Sequence, residues 1–126
     1  MKILGIDTTG QTASAALVEA MAKYPVTDYQ VIERDGVRFA LFGIMGISSD
    51  DYAPMSGMVL EDPIETAKQV VAQIQAGEDC DYIICLSHAG TGDSLAFSED
   101  EVLAENVDGI DVIISAHTHT TLWEPI

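Results

Sequence analysis

Positive charge is what this sequence has least of. Five Lys and Arg stand against 21 Asp and Glu in 126 residues, a formal net charge of −16. A field of that sign repels nucleic-acid polymers and anionic membrane surfaces and draws cations. Neither a nucleic acid nor a membrane is therefore expected as a partner. Free nucleotides are repelled as well, unless bound metal reverses the local sign. Cysteine is nearly absent: Cys80 and Cys85 are too few for a disulfide scaffold and lack the spacing of a zinc site. No apolar run approaches the roughly 18 residues needed to span a bilayer. Lys2 gives the N-terminus a positive start, but Asp7 and the polar Thr8-Thr9-Gly10-Gln11-Thr12 break the apolar core a signal peptide needs. As written, the chain reads as cytoplasmic.

What is present is enough apolar material, 48% of residues, for one domain with one substantial core. Residues 1–19 carry only Lys2, Asp7 and Glu19 as charges and read as a β-hairpin turning at Asp7-Thr8-Thr9-Gly10, a separate unit with a seam near residues 20–25. A second hairpin is predicted around Asp35-Gly36, a strong two-residue turn signal. Its returning strand, residues 37–44, is almost wholly apolar and is expected to be central and covered on both faces. Residues 45–60 read as a long loop. A helix over 63–76 follows, with Asp62 as its N-cap, Pro63 in the first turn, Glu65 completing a capping box and Gly77 just past its end. A strand over 82–86, a helix opened by Ser98 and Glu101 over 98–106, and a strand over 110–115 complete the pattern. Strand, helix, strand, helix, strand argues for an α/β fold: a mixed sheet with a parallel βαβ core plus antiparallel hairpins, the two helices covering one face.

Histidine is the scarce residue that matters. There are three, and each follows an apolar run: His88 after Ile83-Ile84-Cys85-Leu86-Ser87, His117 and His119 after Ile113-Ile114-Ser115-Ala116. The carboxyl ends of strands are where open α/β sheets keep their sites. Imidazole suits Zn, Mn, Fe and Co. Within a strand an H-x-H pair points both rings to one face, whereas just past a strand end the rings can diverge toward different ions. Two readings stand at this level, three unrelated histidines or a metal-binding constellation.

The segments Ser87-His88-Ala89-Gly90, Gly109-Ile110-Asp111-Val112-Ile113-Ile114 and Ala116-His117-Thr118-His119, with the strand Gly36-Val37-Arg38-Phe39-Ala40-Leu41-Phe42-Gly43 before them, resemble a calcineurin-like metallophosphoesterase. The similarity runs over about residues 24–126 and points to the 5′-nucleotidase and 2′,3′-cyclic phosphodiesterase branch, specifically the C-terminal half of its catalytic domain. The resemblance implies half of a metallophosphoesterase sandwich and hydrolysis of a small phosphoester or nucleotide by two divalent transition-metal ions (Mn, Zn, Fe or Co) about 4 Å apart. It also implies His88 and His117 on one metal and His119 on the other. Ser87 and Thr118 match motif positions without an assignable role, and Ala116 stands where the family has glycine. No histidine precedes His88, and the family's Asp-x-His, bridging Gly-Asp and Gly-Asn-His motifs have no counterpart before Tyr24. The resemblance therefore implies an incomplete site of weak or no activity, and no catalytic residue is assigned. Related full-length enzymes are often exported.

Residues 1–19 resemble a different family, the opening hairpin of the bacterial tRNA threonylcarbamoyladenosine-synthesis subunit, so that the whole resembles a chimera. Two alternatives to the hydrolase remain open: a non-catalytic fragment holding a transition metal through its histidines, and a binding module using the N-terminal hairpin. A half-sandwich exposes an apolar sheet face, so a homo-oligomer is expected.

Overall fold

The computed structural model describes residues 27–48, 51, 55 and 59–126. The hairpin expected over residues 1–19, the seam after it and half of the 45–60 loop lie outside the described residues.

The Asp35-Gly36 turn forms where its residues demand it. Both have positive φ, 53° and 82°, the left-handed pair that a tight hairpin requires and that Gly meets without strain. The turn joins β1 (Gln30–Arg34) to β2 (Val37–Met45) in antiparallel register, Arg34 opposite Val37. From β2 the chain crosses to α1 (Pro63–Gly77). Asp62 Oδ1 accepts from the backbone N–H groups of Ile64 and Glu65 at 2.9 and 3.0 Å, which satisfies two of the donors a helix start leaves open. The helix runs one residue further than the sequence implies. Gly77 is its last residue, and Glu78 ends it in an extended conformation with its N–H on the Ile74 carbonyl.

Two more strands follow, β3 (Tyr82–His88) and β4 (Val112–Ser115), separated by a short 3₁₀ turn, Leu95–Phe97, and α2 (Glu99–Asn106). The sheet order is β1-β2-β3-β4, with β2, β3 and β4 parallel. Each parallel strand is keyed to its predecessor by the aspartate just before it. Asp81 Oδ2 accepts from Arg38 N–H at 2.7 Å while the Asp81 N–H returns to the Arg38 carbonyl at 2.8 Å. Asp111 does the same to Ile83, at 2.7 and 2.9 Å. This clamp starts β4 at Val112, two residues later than the apolar run suggests.

Both helices pack on one face of the sheet. Ala40, Phe42 and Ile44 of β2, with Ile83 and Cys85 of β3, meet Ala67, Val70, Val71 and Ile74 of α1, Leu103 of α2, and Val107 beyond it. Ala67, Val70, Val71 and Ile74 fall at helical spacing along one side of α1, so their apolar area leaves water together. The expectation that β2 is covered on both faces is corrected. Residues on its other face alternate with the core residues and are half-buried or exposed: Phe39 and Leu41 are half-buried, and Met45 is exposed. The same holds for Tyr82 and Leu86 of β3 and for Val112 and Ile114 of β4, all exposed. Phe39 and Tyr82 stack on that side with ring centroids 5.7 Å apart. Among the described residues, then, one face of the sheet is covered by helices and the other is apolar and open.

Candidate metal centre

β3 and β4 are register-paired up to Ser87 opposite Ser115. His88 is the next residue on β3, and His117 lies two beyond Ser115. The carboxyl ends of adjacent parallel strands therefore deliver both histidines to one edge. His88 Nε2 and His117 Nδ1 lie 3.2 Å apart, with ring centroids 4.8 Å apart and the rings inclined at 62°. His88 is exposed and His117 half-buried. His117 and His119 both have positive φ, 89° and 54°. The backbone has left extended geometry by this point, so the two rings are not bound to the common face that strand alternation would give. Ala116 does not share that conformation, so alanine in place of glycine meets no left-handed penalty there.

The loop after each strand is held to the other. Thr118 Oγ1 accepts from Thr91 N–H at 3.2 Å, and Thr120 Oγ1 donates to the Thr91 carbonyl at 2.7 Å. Gly90, at φ 94°, leaves the space that the Thr118 side chain fills. Thr118, which had no assignable role from sequence, is a staple between the two histidine loops.

Below the histidines lies a buried carboxylate that sequence reasoning missed. Asp100, in the first turn of α2, is 3% exposed. Its Oδ1 accepts from the Ser87 hydroxyl, and its Oδ2 from the Ser115 hydroxyl and from Gly90 N–H at 3.0 Å. The Asp100 N–H returns to the Gly90 carbonyl at 3.0 Å. The Ser98–Glu101 capping box also departs from expectation. Ser98 Oγ donates to the Glu101 carboxylate and accepts from Gly92 N–H at 3.1 Å, so it ties α2 to the His88 loop rather than capping a helix N–H. Cys85, behind the site, is fully buried; burial first, and then the Asp100 charge, push its thiol up to about 12.

The fit to a metal can be judged from the donors. Nitrogen ligands sit about 2.1 Å from zinc, so two of them subtending roughly 90 to 110° at one ion are about 3.0 to 3.4 Å apart. The spacing of 3.2 Å between His88 and His117 falls inside that range. Binding requires both facing nitrogens to present lone pairs; without an ion, one ring donates to the other. His119 is exposed. Among the described residues, no group of three or more His, Cys, Asp and Glu side chains is placed to hold an ion. The histidine pair fits one ion as a partial ligand set.

No family model matches the chain. It is similar to the trifunctional nucleotide phosphoesterase YfkN of Bacillus subtilis, 38% identical over 96 residues, covering 73% of this chain and 6% of that protein. It is also similar to a probable 5′-nucleotidase of Treponema pallidum, 31% identical over 96 residues, 75% of this chain and 15% of that protein. The chain thus spans well under a fifth of the length of these relatives. Among solved structures, calcineurin-like phosphoesterase YfkN from Bacillus subtilis superposes with a TM-score of 0.67 at 23% identity, covering 80% of this chain and 35% of that one. That likeness bears on the fold alone, and the four-stranded mixed sheet is consistent with part of a calcineurin-like phosphoesterase fold. With these relatives 38% and 31% identical over 73% and 75% of it, the chain belongs to the calcineurin-like metallophosphoesterase and 5′-nucleotidase family.

Proposed function

We propose that the chain carries one side of a two-metal phosphoester-hydrolase centre of the 5′-nucleotidase type. In this reading His88 and His117 serve one divalent ion and His119 serves the other. The observation that carries it is the 3.2 Å approach of His88 Nε2 to His117 Nδ1 at the carboxyl ends of neighbouring parallel strands. Calcineurin-like phosphoesterases use divalent ions, and the relatives act on nucleotides by name, which supports Mn, Zn, Fe or Co as the metal and a small phosphoester or nucleotide as the substrate. When bound, such an ion supplies Lewis acidity toward a phosphoryl oxygen and toward water.

The chain's own part is to present and hold the nitrogens. The two strand ends fix where the imidazoles start, and the threonine staple holds the loops that carry them. Asp100 is 3% exposed and its oxygens are engaged by Ser87, Ser115 and Gly90, so it serves the strand ends rather than an ion. The family's Asp-x-His, bridging Gly-Asp and Gly-Asn-His motifs have no counterpart before Tyr24, so turnover by this sequence is expected to be weak or nil. The second reading, an ion held without turnover, is favoured by the same two-donor geometry. The resemblance of residues 1–19 to a second family, and the chimera it implies, belong to this proposal as well.

The test is hydrolysis of p-nitrophenyl phosphate and of a 5′-nucleotide with added Mn²⁺, alongside elemental analysis of the purified chain. Turnover abolished by His117→Ala supports the hydrolase. One ion per chain without turnover supports the second reading. Absence of both metal and turnover overturns the proposal.

A further inference from the structure

We infer that Asp100 is a positioning residue that sets the separation of the two imidazoles. This inference rests on the reading of His88 and His117 as a metal-binding pair.

The geometry is that of a brace across two strand ends. Ser87 and Ser115 are the last register-paired residues of β3 and β4. One carboxylate accepts from both of their hydroxyls, an oxygen to each, and the second oxygen also takes the Gly90 N–H at 3.0 Å. Ser87 Oγ in turn accepts from Ala89 N–H at 3.2 Å, so the residues on either side of His88 belong to the same network. On the other strand, His117 is two residues past the braced Ser115. A carboxylate that is 3% exposed is costly to desolvate, and here three donors offset that cost. Removing it leaves two hydroxyls and an amide without their shared acceptor, and nothing else described joins the Ser87 and Ser115 side chains. The carboxylate therefore acts through the backbone, not by touching an ion.

Ser115 offers the cleaner cut. Ser115→Ala removes the link to β4 while Asp100 keeps Ser87 and Gly90. Asp100→Asn keeps the size of the side chain but turns one acceptor into a donor. Both are compared with the parent chain in two measurements: ring-to-ring contact between His88 and His117 by NMR in metal-free protein, and Zn²⁺ affinity by titration. Circular dichroism confirms folding. Outer partners of metal ligands are worth about 10 to 100-fold in metal affinity. The expected result is a folded Ser115→Ala chain that loses the ring contact and binds Zn²⁺ at least tenfold more weakly, with Asp100→Asn losing more.

If folded variants of both kinds keep the ring contact, the inference is overturned. Loss of affinity with the contact intact also overturns it, because the effect is then electrostatic. If the parent binds no Zn²⁺ yet the variants lose the contact, the positioning role stands and the metal reading fails. If Ser115→Ala does not fold, Ser115→Thr retains the hydroxyl and is expected to restore both the fold and the contact; a Thr variant without the contact refutes the brace.

Discussion

Asp111 and Ile83 are bonded to one another twice, side chain to amide at 2.7 Å and amide to carbonyl at 2.9 Å. The pair fixes β4 to β3 before the ladder begins. Asp111→Ala leaves the amide of buried Ile83 without its acceptor, a loss of about 1 to 2 kcal/mol. Chemical denaturation should show that drop with an unchanged denaturant slope. Asp81→Ala should cost less, because the Arg38 amide it serves is exposed to water.

Asp62 caps α1 through two backbone amides. Asp62→Ala should lower stability by about 1 kcal/mol, and Asp62→Ser should recover most of it. Thermal melting followed at 222 nm reads both. Full stability in the alanine variant would show that the cap contributes nothing.

The two thiols should separate by reactivity. Cys85 is buried and its pKa is pushed from 9.0 up to about 12, whereas Cys80 is only half-buried. One thiol is expected to react with a disulfide reagent in the folded chain and the second only after unfolding. The same shift has a pH signature. Folding holds the Cys85 proton more tightly than the unfolded chain does, so its stabilising contribution is complete below about pH 9 and is lost as the pH climbs toward 12. Cys85→Ala should flatten that part of the pH–stability curve.

His88→Ala and His117→Ala should each weaken Zn²⁺ or Mn²⁺ binding by tenfold or more, because each removes one of two facing donors. His119→Ala should leave the first ion's affinity within about twofold, because its ring stands outside that pair. Equal losses at all three positions would instead require one shared ion.

The open sheet face gives the expected homo-oligomer a definite location. Leu86 and Ile114, register partners on β3 and β4, are 46% and 54% exposed on it. Light scattering at micromolar concentration should give a mass above that of one chain, and Leu86→Glu should return it to a monomer. A monomeric parent would remove the expectation.

How far the sequence could be read depended on whether a feature is local. Asp35-Gly36 declared its turn, and Asp62-Pro63 its helix start, because the chemistry of a turn or cap lies within four residues. The placement of His88 and His117 at neighbouring strand ends followed from the alternation of strands and helices. What escaped notice was set by tertiary partners. An unbroken apolar run such as Phe39-Ala40-Leu41-Phe42 says that a strand is apolar, not how many of its faces are covered. Asp100 reads in sequence as one more acid at a helix start, favourable to the helix dipole and solvated. Only the arrival of two serines from different strands makes it an internal brace. The one available hint was a serine at each strand end, Ser87 and Ser115, which invites a search for a shared acceptor.

Every strand in this sheet lies beside the one that precedes it in the chain. Such an order lets the sheet grow in the direction of synthesis, each strand docking on a neighbour already made, with modest loops to close at each step. His88 ends β3, and His117 lies two residues past the end of β4. On the proposed metal reading, β3 alone offers only His88, and the facing pair of nitrogens exists only once β4 has paired beside it.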